Sequence, residues 1–122
     1  MWAPKFSESP GGCAVYDWPG GVAPALVMCH ATGFHGRLWD RLIALLPEHR
    51  TIAPDLPGHG RAVRLEPPAD WRVFGESLAK LGVELGLRGA IGIGHSMGGH
   101  CVTTAAGLVP GMFAGLVLLD PV

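Results

Sequence analysis

The sequence predicts an α/β fold: a mostly parallel sheet flanked by helices. Three observations carry this. Short apolar runs alternate with segments of helical periodicity from residue 25 onward. The runs are apolar without alternation, the mark of strands covered on both faces. Polar residues able to do chemistry recur where those runs end: His30, Asp55, Ser96 and Asp120. Strands that alternate with helices call for parallel pairing through right-handed crossovers. In such sheets functional groups gather at the carboxyl ends of strands.

Composition bounds the reading. A chain of 122 residues makes one domain, 1–122, with room for a core. Its hydrophobic content is 48% and its charged content 16%, the latter well below the usual quarter. Most elements must therefore be buried on two faces or belong to something larger. A net charge of -1 offers no electrostatic case for nucleic acid or an anionic membrane. Cys13, Cys29 and Cys101 have no metal or redox spacing and read as reduced, mostly buried thiols. No clustered ligand set suggests a metal. Met1 to Gly12 lacks the apolar core of a secretory signal, so a cytoplasmic location is expected.

The elements follow in order. Lys5-Phe6-Ser7 is a short edge-strand candidate, Pro10-Gly11-Gly12 a turn, and Cys13 to Trp18 the partner strand, ended by Pro19-Gly20-Gly21. Ala25 to Cys29 is a two-sided strand, and His30 to Gly36 the loop at its end. Trp39, Leu42, Ile43, Leu45 and Leu46 recur at helical spacing, so Leu38 to Leu46 is a short helix that Pro47 stops. His49 reads as a surface residue. Thr51-Ile52-Ala53 is a strand leading into the turn-rich loop Pro54 to Gly60. Arg61 to Ala69 continues as loop, with Pro67-Pro68 excluding regular structure. Asp70 can cap the clearest helix, whose apolar face is Trp71, Phe74, Leu78, Leu81 and Leu85, closed by Gly86 and Gly89.

Cys101 to Leu119 is a run of 19 residues without formal charge, long enough by count to cross a bilayer. Pro110-Gly111 interrupts it, so a helix, a loop and a buried strand over Gly115 to Leu119 is the better account, with no membrane span.

The stretch around which the chain is organised is Gly94-His95-Ser96-Met97-Gly98-Gly99, between the apolar run Ala90 to Ile93 and the small residues from Cys101 to Val109. Gly-x-Ser-x-Gly between a strand and a helix is the nucleophile-elbow pattern. The spacing is steric: the turn is sharp, the chain passes close to itself on both sides, and a Cβ at Gly94 or Gly98 would collide. Ser96 is then the expected nucleophile. The Met97 backbone N–H, at the start of the following helix, is the expected oxyanion donor. A glycine-rich dinucleotide fingerprint fits poorly. The spacing is one residue too long, and the motif follows a late strand.

These residues resemble the N-terminal half of an α/β-hydrolase of the esterase, lipase and haloperoxidase-like kind. Leu26 to His30 with Ala31-Thr32-Gly33-Phe34 is similar to the family's strand and oxyanion loop, and Asp55-Leu56-Pro57-Gly58-His59-Gly60 to its Asp-x-x-Gly-His-Gly loop. Gly94 to Gly99 is similar to its elbow, and Leu118-Leu119-Asp120-Pro121 to the end of the next strand. The resemblance covers nearly all 122 residues and implies a truncated α/β-hydrolase core whose cap, acid loop and histidine loop are absent. It implies hydrolysis of a small carboxylic ester or related acyl compound through an acyl-enzyme, without a cofactor. A second oxyanion donor is expected from Thr32 or Phe34. His30 would order that loop by hydrogen bonding, Asp55 and His59 would be structural, and Asp120 is a weak candidate for the acid. The family's histidine is expected beyond Val122, so this chain alone is expected to be inactive. His35 is the one histidine near the cleft without a structural role. A non-catalytic binding protein with the same scaffold is the alternative. An exposed edge at Leu116 to Leu119 would invite self-association.

Overall fold

The computed structural model describes residues 2–62 and 70–122. The loop expected over 61–69, Pro67-Pro68 included, lies outside the described residues beyond Ala62. Six strands form one sheet: β1 (Lys5–Glu8), β2 (Ala14–Trp18), β3 (Val22–Cys29), β4 (His49–Asp55), β5 (Ala90–His95) and β6 (Phe113–Leu119), in the spatial order β1-β2-β4-β3-β5-β6. β1, β2 and β4 pair antiparallel, whereas β4, β3, β5 and β6 run parallel. The expected α/β class with a mostly parallel sheet is the one observed.

The helices are α1 (Asp40–Ala44), entered through a 3-10 turn over Gly36–Trp39, α2 (Arg72–Glu84) and α3 (Met97–Leu108). The helix expected over Leu38 to Leu46 is thus shorter, and its first turn is 3-10. β3 begins at Val22 rather than Ala25. Its pairing with β4 breaks register between Val22 and Leu26, where Pro24 has no N–H to donate. β4 runs on through Pro54 to Asp55, beyond the Thr51-Ile52-Ala53 expected.

α2 has the boundaries its sequence implies. The Asp70 side chain accepts the Arg72 N–H at 2.9 Å, which satisfies one donor of the first turn. At the other end Gly86 has φ +64, with Leu87 N–H bonded to the Gly82 carbonyl and Gly86 N–H to that of Val83. That is a Schellman closure, for which glycine is suited.

Alternation along β3 splits its side chains between two cores. Val27 and Cys29 face α2 and α3, with Leu78, Met97 and Val102. Leu26 and Met28 face Trp39 and Ile43 on the opposite side. The two-sided burial read from the unbroken apolar run is therefore real for β3. The 19-residue run resolves into α3, a turn and β6, and among the described residues no helix is long and apolar enough to cross a membrane. All three cysteines are unpaired and buried. Burial pushes the Cys13 and Cys101 thiols well above their ordinary range.

Candidate active site

β5 delivers Ser96 to the carboxyl edge of the sheet, and α3 starts at the next residue. Ser96 has φ 53 and ψ -115, outside the α, β and left-handed basins open to non-glycine residues. Holding a serine there costs about 1–3 kcal/mol, which the surrounding contacts must supply. Two hydrogen bonds and a close backbone packing are among them. Ser96 N–H donates to the Leu119 carbonyl at 3.0 Å, and the Ser96 carbonyl accepts Gly99 N–H at 2.9 Å. A Cβ on Gly94 would collide with the Gly98 carbonyl, and a Cβ on Gly98 with the Cys29 carbonyl. β5, α3 and the end of β3 approach so closely that only glycine fits at either position.

Met97 is fully buried by its side chain. As the first residue of α3 it belongs to the N–H groups that a helix leaves without an intrahelical acceptor. The loop after β3 forms a tight turn in which Phe34 N–H donates to the Ala31 carbonyl at 3.1 Å. Gly33 supplies φ +83, the positive angle such a turn needs at its third position. Thr32, Gly33 and Phe34 are exposed at the tip.

His30, completely buried, ties this loop to β4. Leu56 N–H donates to His30 Nε2 at 3.0 Å, so the ring proton sits on Nδ1 and is donated to the Ala31 carbonyl at 2.8 Å. Burial pulls the His30 pKa down to about 4, against the partial opposing effect of the Ala31 bond, so the ring stays neutral at ordinary pH. Asp55 is likewise buried and accepts Gly36 N–H at 2.6 Å and Arg61 N–H at 2.8 Å. His59 packs between His30 and Phe74, with ring centroids 5.0 and 5.8 Å away, and its Nδ1 lies 3.1 Å from the Pro57 carbonyl.

The other histidines differ in their surroundings. His49 is half-buried rather than a surface residue, because its Nδ1 reaches the Pro24 carbonyl at 2.9 Å. His100, one turn along α3 from Ser96, is half-buried with its ring edge-on to Trp71 at 5.9 Å. His35 is exposed and His95 half-buried. Among the described residues no histidine hydrogen-bonds the Ser96 hydroxyl. Asp120 follows the Leu119 that accepts from Ser96 and is exposed, with φ 46. The Arg61 and Gly36 bonds to Asp55 were not legible in the sequence. The first closes the Asp55 to Gly60 loop, and the second joins that loop to the one after β3 across 19 positions.

Comparison with known proteins places this architecture. The alpha/beta hydrolase fold family matches residues 24–122. The chain belongs to that family. It is 40% identical over 105 residues to Lipase LipV of Mycobacterium tuberculosis (strain ATCC 25618 / H37Rv), covering 84% of this chain and 39% of the lipase. It is 36% identical over 100 residues to the pimeloyl-[acyl-carrier protein] methyl ester esterase of Methylococcus capsulatus (strain ATCC 33009 / NCIMB 11132 / Bath), covering 81% and 37%. Among solved structures, a bacterial membrane phospholipase A superposes with a TM-score of 0.83 at 26% identity, over 99% of this chain and 40% of that one. The α/β-hydrolase chain thus spans about two fifths of the length of these relatives. One expectation is corrected. The assignment is not to an N-terminal half only, since the family match and the superposition together hold over nearly the full 122-residue chain. The superfamily joins esterases, lipases, haloperoxidases and epoxide hydrolases.

Proposed function

We propose that Ser96 is the nucleophile of an acyl-transfer site acting on a small carboxylic ester. The observation that carries this reading is the backbone of Ser96: a non-glycine residue held at positive φ between two glycines that cannot be replaced without collision. Strain of this kind is kept where it presents a reactive group. The Ser96 oxygen adds to the ester carbonyl carbon, the C–O bond to the alcohol breaks, and the alcohol leaves with the serine proton. Water then attacks the acyl-enzyme, releasing the acid and restoring the hydroxyl. The step asks for no cofactor.

The negative charge that builds on the carbonyl oxygen needs N–H donors. Met97 supplies one in this reading. Of the two candidates on the facing loop, Thr32 is favoured over Phe34, whose N–H is already engaged by the Ala31 carbonyl. Gly94 and Gly98 shape the turn, and His30 orders the facing loop. Asp120 remains the candidate acid, next to the strand end that holds Ser96. Self-association through the β6 edge belongs to the same reading, because β6 is last in the sheet order and exposes Val117, Leu118 and Leu119.

No histidine stands against the hydroxyl among the described residues, so this chain should turn over a simple aryl ester far below the roughly 1–10³ s⁻¹ of ordinary enzymes. The test is acyl trapping with p-nitrophenyl acetate, acid quench and peptide mapping. The acetyl group is expected on Ser96, lost slowly to water, and missing from that peptide in Ser96→Ala. Acetylation confined to other residues would overturn the reading.

A further inference from the structure

The structure assigns to Asp55 the role of positioning residue for the Thr32 loop: its carboxylate fastens that loop to the end of β4 and thereby sets where the Thr32 N–H lies relative to Ser96. The role rests on the acyl-transfer reading above.

Asp55 is the last residue of β4 and is 1% exposed. Its two oxygens serve two separate loops. Oδ1 accepts from Gly36, at the far end of the segment that begins with His30, and Oδ2 accepts from Arg61, beyond the β4 turn. Bonds from backbone N–H to a carboxylate are among the stronger ones. The pocket around the carboxylate is closed. A Cβ on Gly60 would fall on the Asp55 carboxylate.

The segment from His30 to Gly36 is therefore held at both ends. His30 is bonded to Leu56 at one end, and Gly36 to Asp55 at the other. Between them the Ala31–Phe34 turn closes on itself. Thr32 and Gly33 sit at its tip. Asp55 touches no reacting atom, but one of the two anchors that orient the tip is its own. A displacement of about 1 Å at such a donor can cost on the order of a hundredfold in rate. A neutral amide cannot substitute, because an asparagine offers one acceptor oxygen and would turn an NH₂ toward the second N–H donor.

The test compares the full chain with Asp55→Asn and Gly60→Ala. The second variant keeps the carboxylate but crowds it. Two readouts are taken: hydrogen exchange resolved by segment, and the rate of Ser96 acetylation as a function of p-nitrophenyl acetate concentration. Expected is a fall of about tenfold in the limiting acetylation rate, with the half-saturating concentration within about twofold. Exchange should rise over residues 32–36 and stay unchanged over β5 and α2. A merely structural role would raise exchange throughout and leave the split between limiting rate and half-saturation unmoved. Should Asp55→Asn exchange everywhere, Gly60→Ala decides on the same readouts. Unchanged exchange over 32–36 overturns the role, as does faster exchange there with an unchanged limiting rate. Failure of the acyl-transfer reading is distinct: the unsubstituted chain then acquires no acetyl group on Ser96, and the positioning role falls with it.

Discussion

β3 and β6 flank the same strand, β5, and both run parallel to it, yet their surroundings differ. Both are apolar runs, VAPALVMC and FAGLVLL. In β3, Val27, Met28 and Cys29 are completely buried, whereas in β6 Val117, Leu118 and Leu119 are 46%, 40% and 43% exposed. The strand does not supply its own cover. β3 has α2 and α3 on one face and Trp39 with Ile43 on the other, and a paired strand at each side. β6 packs Phe113 and Leu116 toward the α3 core and lies at the edge of the sheet. An unbroken apolar run therefore reports a strand suited to two-sided burial, and other elements decide whether it gets it.

The most severe way to break the β3 side is to force β3 and α3 apart. Gly98→Ala drives a methyl group into the Cys29 carbonyl, with backbone on both sides and no side chain free to yield. A loss of about 3 kcal/mol or more is expected, measured as the shift in urea midpoint. Gly107→Ala is the control within the same helix. It meets nothing within 4 Å, and alanine there should stabilise by about 0.5–1 kcal/mol. Equal effects at the two positions would refute the close approach of α3 to β3.

The next test sets the two strands directly against each other. Met28→Ala removes a fully buried side chain of β3 and should cost about 2–5 kcal/mol. Leu118→Lys on β6 places a charge where the side chain is already half-exposed and should cost less than about 1 kcal/mol. The same lysine guards an open edge against pairing. Concentration-dependent association of the unsubstituted chain in sedimentation velocity, lost in Leu118→Lys, is the expected result. Association that persists in the variant would place the contact elsewhere.

How much of this was legible beforehand divides along the same line. Local signals read well: the turn glycines at 94 and 98, the Asp70 cap, the helical spacing from Phe74 to Leu85, and the apolar runs that became β3, β5 and β6. Each depends on neighbours within a few residues. What depends on long-range meetings read poorly. Pro24 and Pro54 look like strand breakers, yet both lie within strands. His49 looks like a surface residue until the Pro24 carbonyl is found against it. Ser96 could be singled out by pattern, but the bond that joins Gly36 to Asp55 crosses 19 positions and has no motif. The nucleophile candidate was visible in the chain, as was, by resemblance, His30 as the residue that orders the facing loop; the bonds that fasten Asp55 to Gly36 and Arg61 were not.

The carboxyl ends of the two strands sharpen the comparison in a property that titrates. β6 is followed by exposed Asp120, while β3 is followed by buried His30. His30 keeps a neutral ring in the folded state down to about pH 4, chiefly through burial, with Asp55 nearby favouring its charge and His59 and His35 opposing it. In the unfolded chain the ring takes its proton near pH 6.5. Between these values the unfolded state holds the extra proton, so stability rises with pH across the window. The contribution is complete above about pH 6.5 and is lost as pH falls toward 4, for a total of up to about 3 kcal/mol. His30→Gln cannot titrate. Its urea midpoint should be lower overall yet depend less steeply on pH between 4 and 6.5 than that of the unsubstituted chain. Parallel slopes would mean that His30 is already charged in the fold, and the bond from Leu56 N–H to its ring could not then exist.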